Sequence, residues 1–486
     1  MPTTITDPLA LDAVEAATAL AAGRISAREL VAAALDAIAA AQPVLNAFLS
    51  VDAEGALAAA AAADRRLEAL HAGACADLPP LLGVPLAHKD IFHRAGQPAT
   101  AGSPLVTETR PRETATVLDR LDAAGAIALG TLNLSEFMLN PTGHNDHFGA
   151  CRNPWDTTRI PGGSSSGTGA AVAARLCCAG LGSDTGGSVR LPAAMCGITA
   201  IKPTQGRVSR HGTVALSPSM DATGPMARSA RDCARLLSLV AGPDPADAGA
   251  ARRPPADYEA DLERPLKGVR LGVATELHDK VAPTVARPLR ESLAAFRDLG
   301  VELVEVRLPD LADTLALGGV VVRSEAAARH RRWLGTRPEA YMRLSRYRLG
   351  VGLALPATHY IEALGLRGAV TRRFLATAFA ECDLLHAPIV PFAVPSLNAV
   401  RATPTNVTEV VTHIGDMTRP FNYLGLPAMA VPAGFCDDGL PVGLQLIGRP
   451  FAEARLLNAA HQFQRATDWH RRRPPALPGE GEAGTG

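Results

Sequence analysis

Two glycine- and serine-rich stretches carry the side chains that this sequence offers for catalysis. Residues 161–169 read PGGSSSGTG, and residues 180–197 read GLGSDTGGSVRLPAAMCG. A nucleophilic serine needs space for its substrate, and the oxyanion that it creates needs N–H donors. The two glycines before Ser188 allow the backbone to turn several N–H groups the same way. The pattern indicates acyl-transfer chemistry, with Ser188 as nucleophile or, structurally, as the N-cap of a following helix.

The first stretch has three other interpretations. A flexible linker is disfavoured, because the apolar, helix-forming residues AAVAARLCCAGLG follow at once. A phosphate-binding loop would need a lysine that is not there. The run GSSSG also matches the Gly-x-Ser-x-Gly turn of α/β-hydrolases, with Ser165 as nucleophile. That match is weak, because a poor strand precedes it, although His413 and His461 follow in the required order.

A lysine is the candidate base. Only four of the 48 basic residues are lysines, and Lys89 ends the apolar run GVPLAHKD. Lysine, unlike arginine, can lose its proton when it is desolvated, and the neutral amine then acts as a general base. A buried ion pair of Lys89 with Asp90 or Asp184 is an equal alternative on these residues alone. His88 is a rival base.

The elements that must position these residues alternate between helix and strand. Ser26 and Glu29 form a capping-box pattern before a helix, and residues 80–92 predict a buried strand that ends near Lys89. Residues 229–242 predict an amphipathic helix, and residues 312–380 are mainly helical. The alternation predicts an α/β fold with a mixed sheet.

The composition excludes several classes of protein. Of 486 residues 47% are hydrophobic, which is normal for a globular chain, and 48 basic residues balance 48 acidic ones. That balance predicts no nucleic-acid partner. No stretch is long and apolar enough for a membrane span, and the N-terminus lacks a signal-peptide pattern, so we expect a cytoplasmic protein without a membrane partner. The eight scattered cysteines form no zinc-like cluster with histidine, and they predict reduced and mostly buried thiols.

Longer motifs bring a resemblance. The run PGGSSSGTGAAVAA, the run GSDTGGSVRLPAAMCGITAIKPTQGRVSRHG, the upstream GVPLAHKD and the downstream FNYLGLPAMAVPAGF together resemble the amidase signature family of serine amidohydrolases. The resemblance extends over most of the chain. Within the family, the segment NPTGHNDHFGACRNPWD and the region 312–380 look more like those of stand-alone bacterial amidases.

The resemblance implies a fold and a set of site residues. The fold would be a mixed central β-sheet covered by helices on both faces. Ser188 would be the nucleophile and neutral Lys89 the base, with Ser164 relaying the proton from a cis peptide bond. The oxyanion hole would be formed by the backbone of Thr185, Gly186, Gly187 and Ser188, and substrate would contact Met138, Gly163 and Ser164. Ser183 and His88 are small departures from the family's pattern.

The resemblance also implies a function and an organisation. We expect a single amidase domain over 1–472, with a helical segment at 1–75, a signature core at 80–245, a helical insertion at 312–380 and a disordered tail at 473–486. The activity would be hydrolysis of a small-molecule amide, by a possible homodimer, and it would need neither a metal nor another cofactor. The acyl pocket would come from residues around 138–148, 312–380 and 405–425. Two alternatives are the A subunit of a tRNA-dependent amidotransferase and an inactive scaffold.

Overall fold

The computed structural model describes residues 5–74, 77–107, 109–401, 411 and 413–477, and these form eleven strands and fourteen α-helices. The strands are β1 Phe48–Val51, β2 Pro85–Lys89, β3 Ile127–Leu132, β4 Ala179–Asp184, β5 Thr199–Lys202, β6 Ala222–Ala227, β7 Arg270–Val273, β8 Glu302–Glu305, β9 Leu384–Pro388, β10 Ala428–Phe435 and β11 Pro441–Ile447. The helices are α1 Ala13–Ala21, α2 Ala27–Leu45, α3 Ala53–His71, α4 Thr116–Ala123, α5 Ser166–Ala173, α6 Arg190–Cys196, α7 Ala230–Val240, α8 Thr275–His278, α9 Pro283–Asp298, α10 Leu311–Thr336, α11 Arg343–Leu353, α12 Ala357–Ala378, α13 Arg419–Tyr423 and α14 Glu453–Ala466.

One mixed sheet joins all eleven strands, in the order β1-β3-β2-β4-β6-β5-β10-β11-β9-β7-β8. Its middle is antiparallel, from β4 to β9, whereas β3, β2 and β4 run parallel to one another, as do β9, β7 and β8. The central strands β4 and β6 are buried along their whole length, and β10 is buried except at its last residue, because helices pack on both faces of the sheet. The predicted α/β fold with a mixed sheet is confirmed.

The close approach of β2 and β4 depends on glycine. A Cβ atom at Gly180 would lie 2.1 Å from the carbonyl oxygen of Ala87, which no larger residue tolerates. The two strands are parallel and paired at Leu86 and Ala179. Because parallel strands end at the same edge of a sheet, Lys89 at the end of β2 comes close to the end of β4.

Several local predictions are confirmed. The side chains of Ser26 and Glu29 form the expected capping box at the start of α2. The strand predicted within 80–92 is β2, which ends at Lys89, and the helix predicted at 229–242 is α7. The mainly helical region 312–380 consists of α10, α11 and α12. Most of the tail predicted at 473–486 lies outside the described residues.

Within the described ranges, no single helix is both long enough and apolar enough to cross a bilayer. The pair α11 and α12 has the required length and composition together, but the two helices meet at a bend of 87°.

Candidate active site

Lys89 is the last residue of β2, and it is 1% exposed. Its Nζ atom donates hydrogen bonds to Oγ of Ser164 at 2.8 Å and to Oγ of Ser183 at 2.9 Å. Ser183 belongs to the neighbouring strand β4, and Ser164 precedes helix α5. The end of strand β2 therefore places the amino group of Lys89 beside the hydroxyls of Ser164 and Ser183.

Burial controls the charge of this lysine. It lowers the pKa of Lys89 from 10.5 to about 7, and the negative charges of Asp221 and Asp184 offset only part of that effect. A lysine with a pKa near neutrality is partly an uncharged amine under ordinary conditions. The same amine can therefore take a proton across its contact with Ser164 and give it back.

Asp90 and Asp184, the two ion-pair partners that the sequence suggested for Lys89, bind other groups. Asp90 accepts a hydrogen bond from the backbone N–H of Thr100 at 2.9 Å, and burial raises the pKa of its carboxyl group. Asp184 forms a buried ion pair with Arg190 at 3.0 Å. In the described part of the chain, Lys89 thus contacts hydroxyl groups and forms no ion pair.

His88 is not placed to serve as a base beside Ser164. Successive side chains of a strand point to opposite faces, so His88 and Lys89 diverge. The Nδ1 atom of His88 accepts a hydrogen bond from the backbone N–H of Leu181 at 3.1 Å. Burial lowers the pKa of this histidine to about 3, with a smaller contribution from Arg94, which keeps the ring uncharged.

The three consecutive serines of the first stretch face different partners. Ser164 is fully buried, follows a cis peptide bond with Gly163 and contacts Lys89. Ser165 is also fully buried, and its Oγ atom donates to the carbonyl oxygen of Ser183 at 3.3 Å. The backbone N–H of Ser165 donates to the carbonyl oxygen of Ser188 at 3.3 Å, which brings the two glycine–serine stretches together.

Ser188 lies on the turn between β4 and α6, half-buried at the wall of a cavity. Helix α6 begins at Arg190 and Val189 occupies its N-cap, so Ser188 is not the cap residue. Gly187 has φ +126°, and a Cβ atom there would lie 2.2 Å from Oγ1 of Thr418. Only glycine fits this tight turn.

Asp184 fixes the shape of that turn. Its Oδ1 atom accepts the backbone N–H of Gly187 at 2.7 Å and the side-chain amide of Asn422 at 2.8 Å. Its Oδ2 atom accepts the backbone N–H of Val189 at 3.3 Å and pairs with Arg190. Burial opposes ionisation, but the charge of Arg190 prevails and lowers the pKa of Asp184 to about 2. The sequence suggested this aspartate only as a partner of Lys89, so its role in the turn was missed.

The resemblance assigned four backbone N–H groups to an oxyanion hole, and one of the four is already bound within the protein. The N–H of Gly187 points to the Asp184 carboxylate, and Gly187 does not line the cavity among the described residues. Thr185, Gly186 and Ser188 do line it. Thr185 is held from behind, because its hydroxyl donates to the buried carboxylate of Asp221 at 2.6 Å.

The cavity has a volume of about 480 Å³, within the usual range for a small-molecule site. Met138 lines it with a left-handed backbone, φ 61°, whereas Gly163 and Ser164 are not among the described lining residues. Further walls come from α10, α11 and the start of α13, in agreement with the expected pocket regions as far as they are described. Residues 405–410 and 412 of the third expected region lie outside the described residues.

The potential metal ligands of the chain are dispersed. Within the ranges that the structure describes, no group of three or more histidine, cysteine, aspartate or glutamate side chains is arranged to hold a metal ion. The seven cysteines in those ranges are free and buried.

Comparison with known proteins gives a consistent family. The Amidase family model matches residues 29–457. A curated relative from Neisseria gonorrhoeae, the A subunit of Glutamyl-tRNA(Gln) amidotransferase, is 41% identical over 485 residues, which cover 95% of this chain and 98% of the relative.

Solved structures agree with this match. A structure described as part of a vestigial protein complex that reveals the origins of an s-triazine catabolic enzyme has a TM-score of 0.88 and 35% identity, and the match covers 96% of this chain and 100% of that one. The A subunit of Glutamyl-tRNA(Gln) amidotransferase from Thermotoga maritima has a TM-score of 0.81 and 28% identity, over 97% and 98% of the two chains.

These names contradict the expected partners. The sequence led us to expect a small-molecule amide, no nucleic acid and a possible homodimer, whereas the curated relative is one subunit of an enzyme named for a tRNA substrate. These expectations were wrong: the absence of a nucleic-acid partner was inferred from the balanced charge of one chain, and the small-molecule substrate and the homodimer were implied by the resemblance to stand-alone amidases. That balance excludes strong attraction of nucleic acid by this chain alone, and in a multi-subunit enzyme another chain can supply the phosphate contacts.

Proposed function

Since the chain belongs to the amidase family, we propose that it hydrolyses a carboxylic amide through an acyl-enzyme on Ser188. We further propose that it does so as the A subunit of a tRNA-dependent amidotransferase. In that assembly it would release ammonia from glutamine for use by another subunit.

The contact between Lys89 and Ser164 carries the chemical part of the proposal. A lysine that is buried, free of an ion pair in the described part of the chain and 2.8 Å from a hydroxyl has few structural uses. Its lowered pKa matches the requirement of a general base at neutral pH. Ser188 lies at the cavity wall, next to the serine stretch that contacts this lysine.

The proposed reaction uses these residues in the following order. Ser188 Oγ attacks the amide carbon while its proton passes through Ser164 to the neutral amine of Lys89. The backbone N–H groups of Thr185, Gly186 and Ser188 stabilise the oxyanion. The tetrahedral adduct collapses, the C–N bond breaks, and the relay returns the proton to the leaving nitrogen, which departs as ammonia. Water then attacks the ester by the same relay and frees Ser188 and the carboxylic acid.

The assembly part of the proposal is supported by the relatives rather than by the site. The match with the A subunits of amidotransferases extends over nearly the full length of both chains, so no whole domain distinguishes this chain from them. The same active site would serve a stand-alone amidase. The test must therefore separate chemistry from assembly.

A serine-directed fluorophosphonate probe tests the chemistry. We expect it to label the wild-type chain and Ser165→Ala, but not Ser188→Ala. Labelling of Ser188→Ala, or loss of labelling in Ser165→Ala with normal folding, would assign the nucleophile elsewhere.

Ammonia release from glutamine tests the assembly. We expect the chain alone to release ammonia slowly, and the rate to rise when the co-expressed partner subunits and glutamyl-tRNA are added. A full rate with the chain alone, unchanged by those additions, would contradict the role as a subunit.

A further inference from the structure

Helix α10 carries a carboxylate that the proposed reaction does not use. Glu325 is half-buried and is not among the described residues that line the cavity, although Arg323 and Ala326 on the same helix do line it. Its side chain instead contacts residues 216–221, a loop that ends where β6 begins. Leu216 of this loop lines the cavity. The loop therefore lies between helix α10 and the site.

Every described donor to the Glu325 carboxylate is a neutral group. Its Oε2 atom accepts the hydroxyl of Ser217 at 2.6 Å and the backbone N–H of Ser219 at 3.1 Å. Its Oε1 atom accepts the hydroxyl of Tyr360, on helix α12, at 2.9 Å, and also the hydroxyl of Ser219. A carboxylate has about four acceptor positions, and these four donors fill them. Glu325 thus ties the 216–221 loop to α10 and α12.

Asp221 binds the same loop to the turn that carries the oxyanion donors. Its Oδ2 atom accepts the backbone N–H groups of Leu216 at 2.9 Å and Ser217 at 3.0 Å. Its Oδ1 atom accepts the hydroxyl of Thr185 at 2.6 Å. Two carboxylates that share Ser217 as a partner therefore connect helix α10 with Thr185.

Apolar packing and a further hydrogen bond make this connection tight. Met220 of the loop is fully buried, in a cluster with Val321 of α10 and Ala363 of α12. Arg367 of α12 donates to the carbonyl oxygen of Ser219 at 2.7 Å. A close-packed interior transmits a displacement instead of absorbing it. A loop held at this many points should pass a shift of α10 on to Thr185.

We propose that Glu325 is a positioning residue that fixes the backbone N–H of Thr185 as an oxyanion donor, acting through residues 216–221 and Asp221. The inference rests on the proposed function for the role of Thr185. An oxyanion donor stabilises the transition state only when it is held in place before the charge develops. Because Glu325 lies outside the cavity wall that the structure describes, its loss should lower kcat and leave KM nearly unchanged.

Ammonia release from glutamine by the assembled enzyme tests this division. Glu325→Gln should lower kcat about tenfold and change KM less than about threefold, because a side-chain amide offers a single acceptor oxygen to four donors. Asp313→Asn is the matched control, since it removes an exposed carboxylate from the same helix and should change neither constant. Circular dichroism checks the folding of both. A rise in KM at constant kcat, or equal losses of kcat in the two variants, would overturn the inference.

A double-mutant cycle locates the effect at the oxyanion turn. Thr185→Val removes the hydroxyl at the other end of the connection. If both substitutions break one connection, the double variant should have a kcat within about threefold of the slower single variant. Losses that multiply would show that Glu325 and Thr185 act independently, and would overturn the inference.

A milder variant covers the case in which Glu325→Gln does not fold. Tyr360→Phe removes one of the four donors and leaves the carboxylate in place. It should lower kcat about threefold without changing KM. An unchanged kcat in that case would overturn the inference.

Hydrogen–deuterium exchange separates this inference from the proposed function. Backbone amides of residues 185–188 should exchange at least about fivefold faster in Glu325→Gln than in wild type and Asp313→Asn. Faster exchange in a chain whose Ser188 never reacts with the fluorophosphonate probe would overturn the proposed reaction and leave the connection standing. Normal labelling of Ser188 with unchanged exchange would overturn the connection and leave the reaction standing.

Discussion

Two lysines are buried at the ends of strands of the same sheet, Lys89 at the end of β2 and Lys202 at the end of β5, and their amino groups have different neighbours. Lys89 and Lys202 are each 1% exposed, and burial lowers the pKa of both to about 7. Nζ of Lys89 contacts two serine hydroxyls, whereas Nζ of Lys202 donates to the carbonyl oxygen of Pro203 at 2.9 Å. A hydroxyl can pass a proton on and a carbonyl cannot. A lowered pKa therefore makes a lysine available as a base, and the atoms around it decide whether it acts as one.

Replacing each lysine in turn should give the largest difference in activity between the two positions. Lys89→Met should lower kcat about 1,000-fold or more, because the nucleophile loses its proton acceptor. Lys202→Met, which removes an equally buried amine, should retain kcat within about tenfold. Steady-state ammonia release measures both, with circular dichroism as the check of folding. Similar losses in the two variants would show that burial of the amine, and not its neighbours, determines its role.

The negative charge of Asp184 raises the pKa of both lysines, against the larger effect of burial. Asp184→Asn should lower kcat about 100-fold, because the turn with the oxyanion donors loses its anionic acceptor. It should also lower the free energy of unfolding by about 3–5 kcal/mol, because Arg190 remains buried without its counter-charge. Chemical denaturation measures the second effect. The control is Asp437→Asn, which removes an exposed partner of Arg287 and should leave the free energy of unfolding nearly unchanged. Equal costs in the two variants would contradict the assigned role of the buried pair.

The pH profile assigns the titration to one of the two lysines. Protonated Lys89 cannot accept the proton of the relay, so kcat/KM should fall as the pH drops through about 7, by about tenfold per pH unit below it. Lys202→Met should leave this midpoint in place, since its amine does not touch the relay. A midpoint that moves in Lys202→Met would show that the titrating group is Lys202 and would contradict its assignment to Lys89.

Ser183→Ala should give the smallest effect of these substitutions, a shift in the midpoint of the pH profile. The Ser183 hydroxyl accepts a hydrogen bond from Lys89, and this bond favours the ammonium form. Its loss should move the midpoint of the pH profile to lower pH by about one unit. Ser165→Ala, which removes a hydroxyl that contacts backbone atoms of Ser183, is the control and should not move it. A shift to higher pH in Ser183→Ala would contradict the assigned direction of the bond.

The fold class and the contact between Lys89 and Ser164 could be predicted from the sequence, because their signals are local, whereas the role of Ser188 as nucleophile stays a prediction. A lysine in an apolar run and glycines beside serines stand out within a few residues, and the family pattern extends these signals along the chain. Ser183 appeared only as a departure from that pattern. Its contact with Lys89 depends on the pairing of β2 with β4, which no local spacing records.

The arginines of the cavity show the limit of such local signals. Arg323, Arg348 and Arg419 are three of 44 arginines, and their positions carry no periodicity or motif. They meet only because α10, α11 and α13 pack together over the turn that carries Ser188. The orientation of the Gly187 N–H was equally hidden, since it follows from a hydrogen bond with Asp184.

The residues around the candidate site come from strand ends and from helices, and these two kinds of element tolerate substitution differently. Lys89, Ser183 and Asp184 stand at the ends of two paired strands, where a shift of backbone would disturb many neighbours. The three cavity arginines project from helices, where one side chain can be exchanged without moving the sheet. Arg419 passes over the turn that Asp184 holds, so we expect the effects of substitutions at these two residues to be coupled rather than additive. Arg323 is exposed at the rim, where a substitution should leave the strand ends undisturbed. The rim of the cavity can thus change while the strand ends stay as they are.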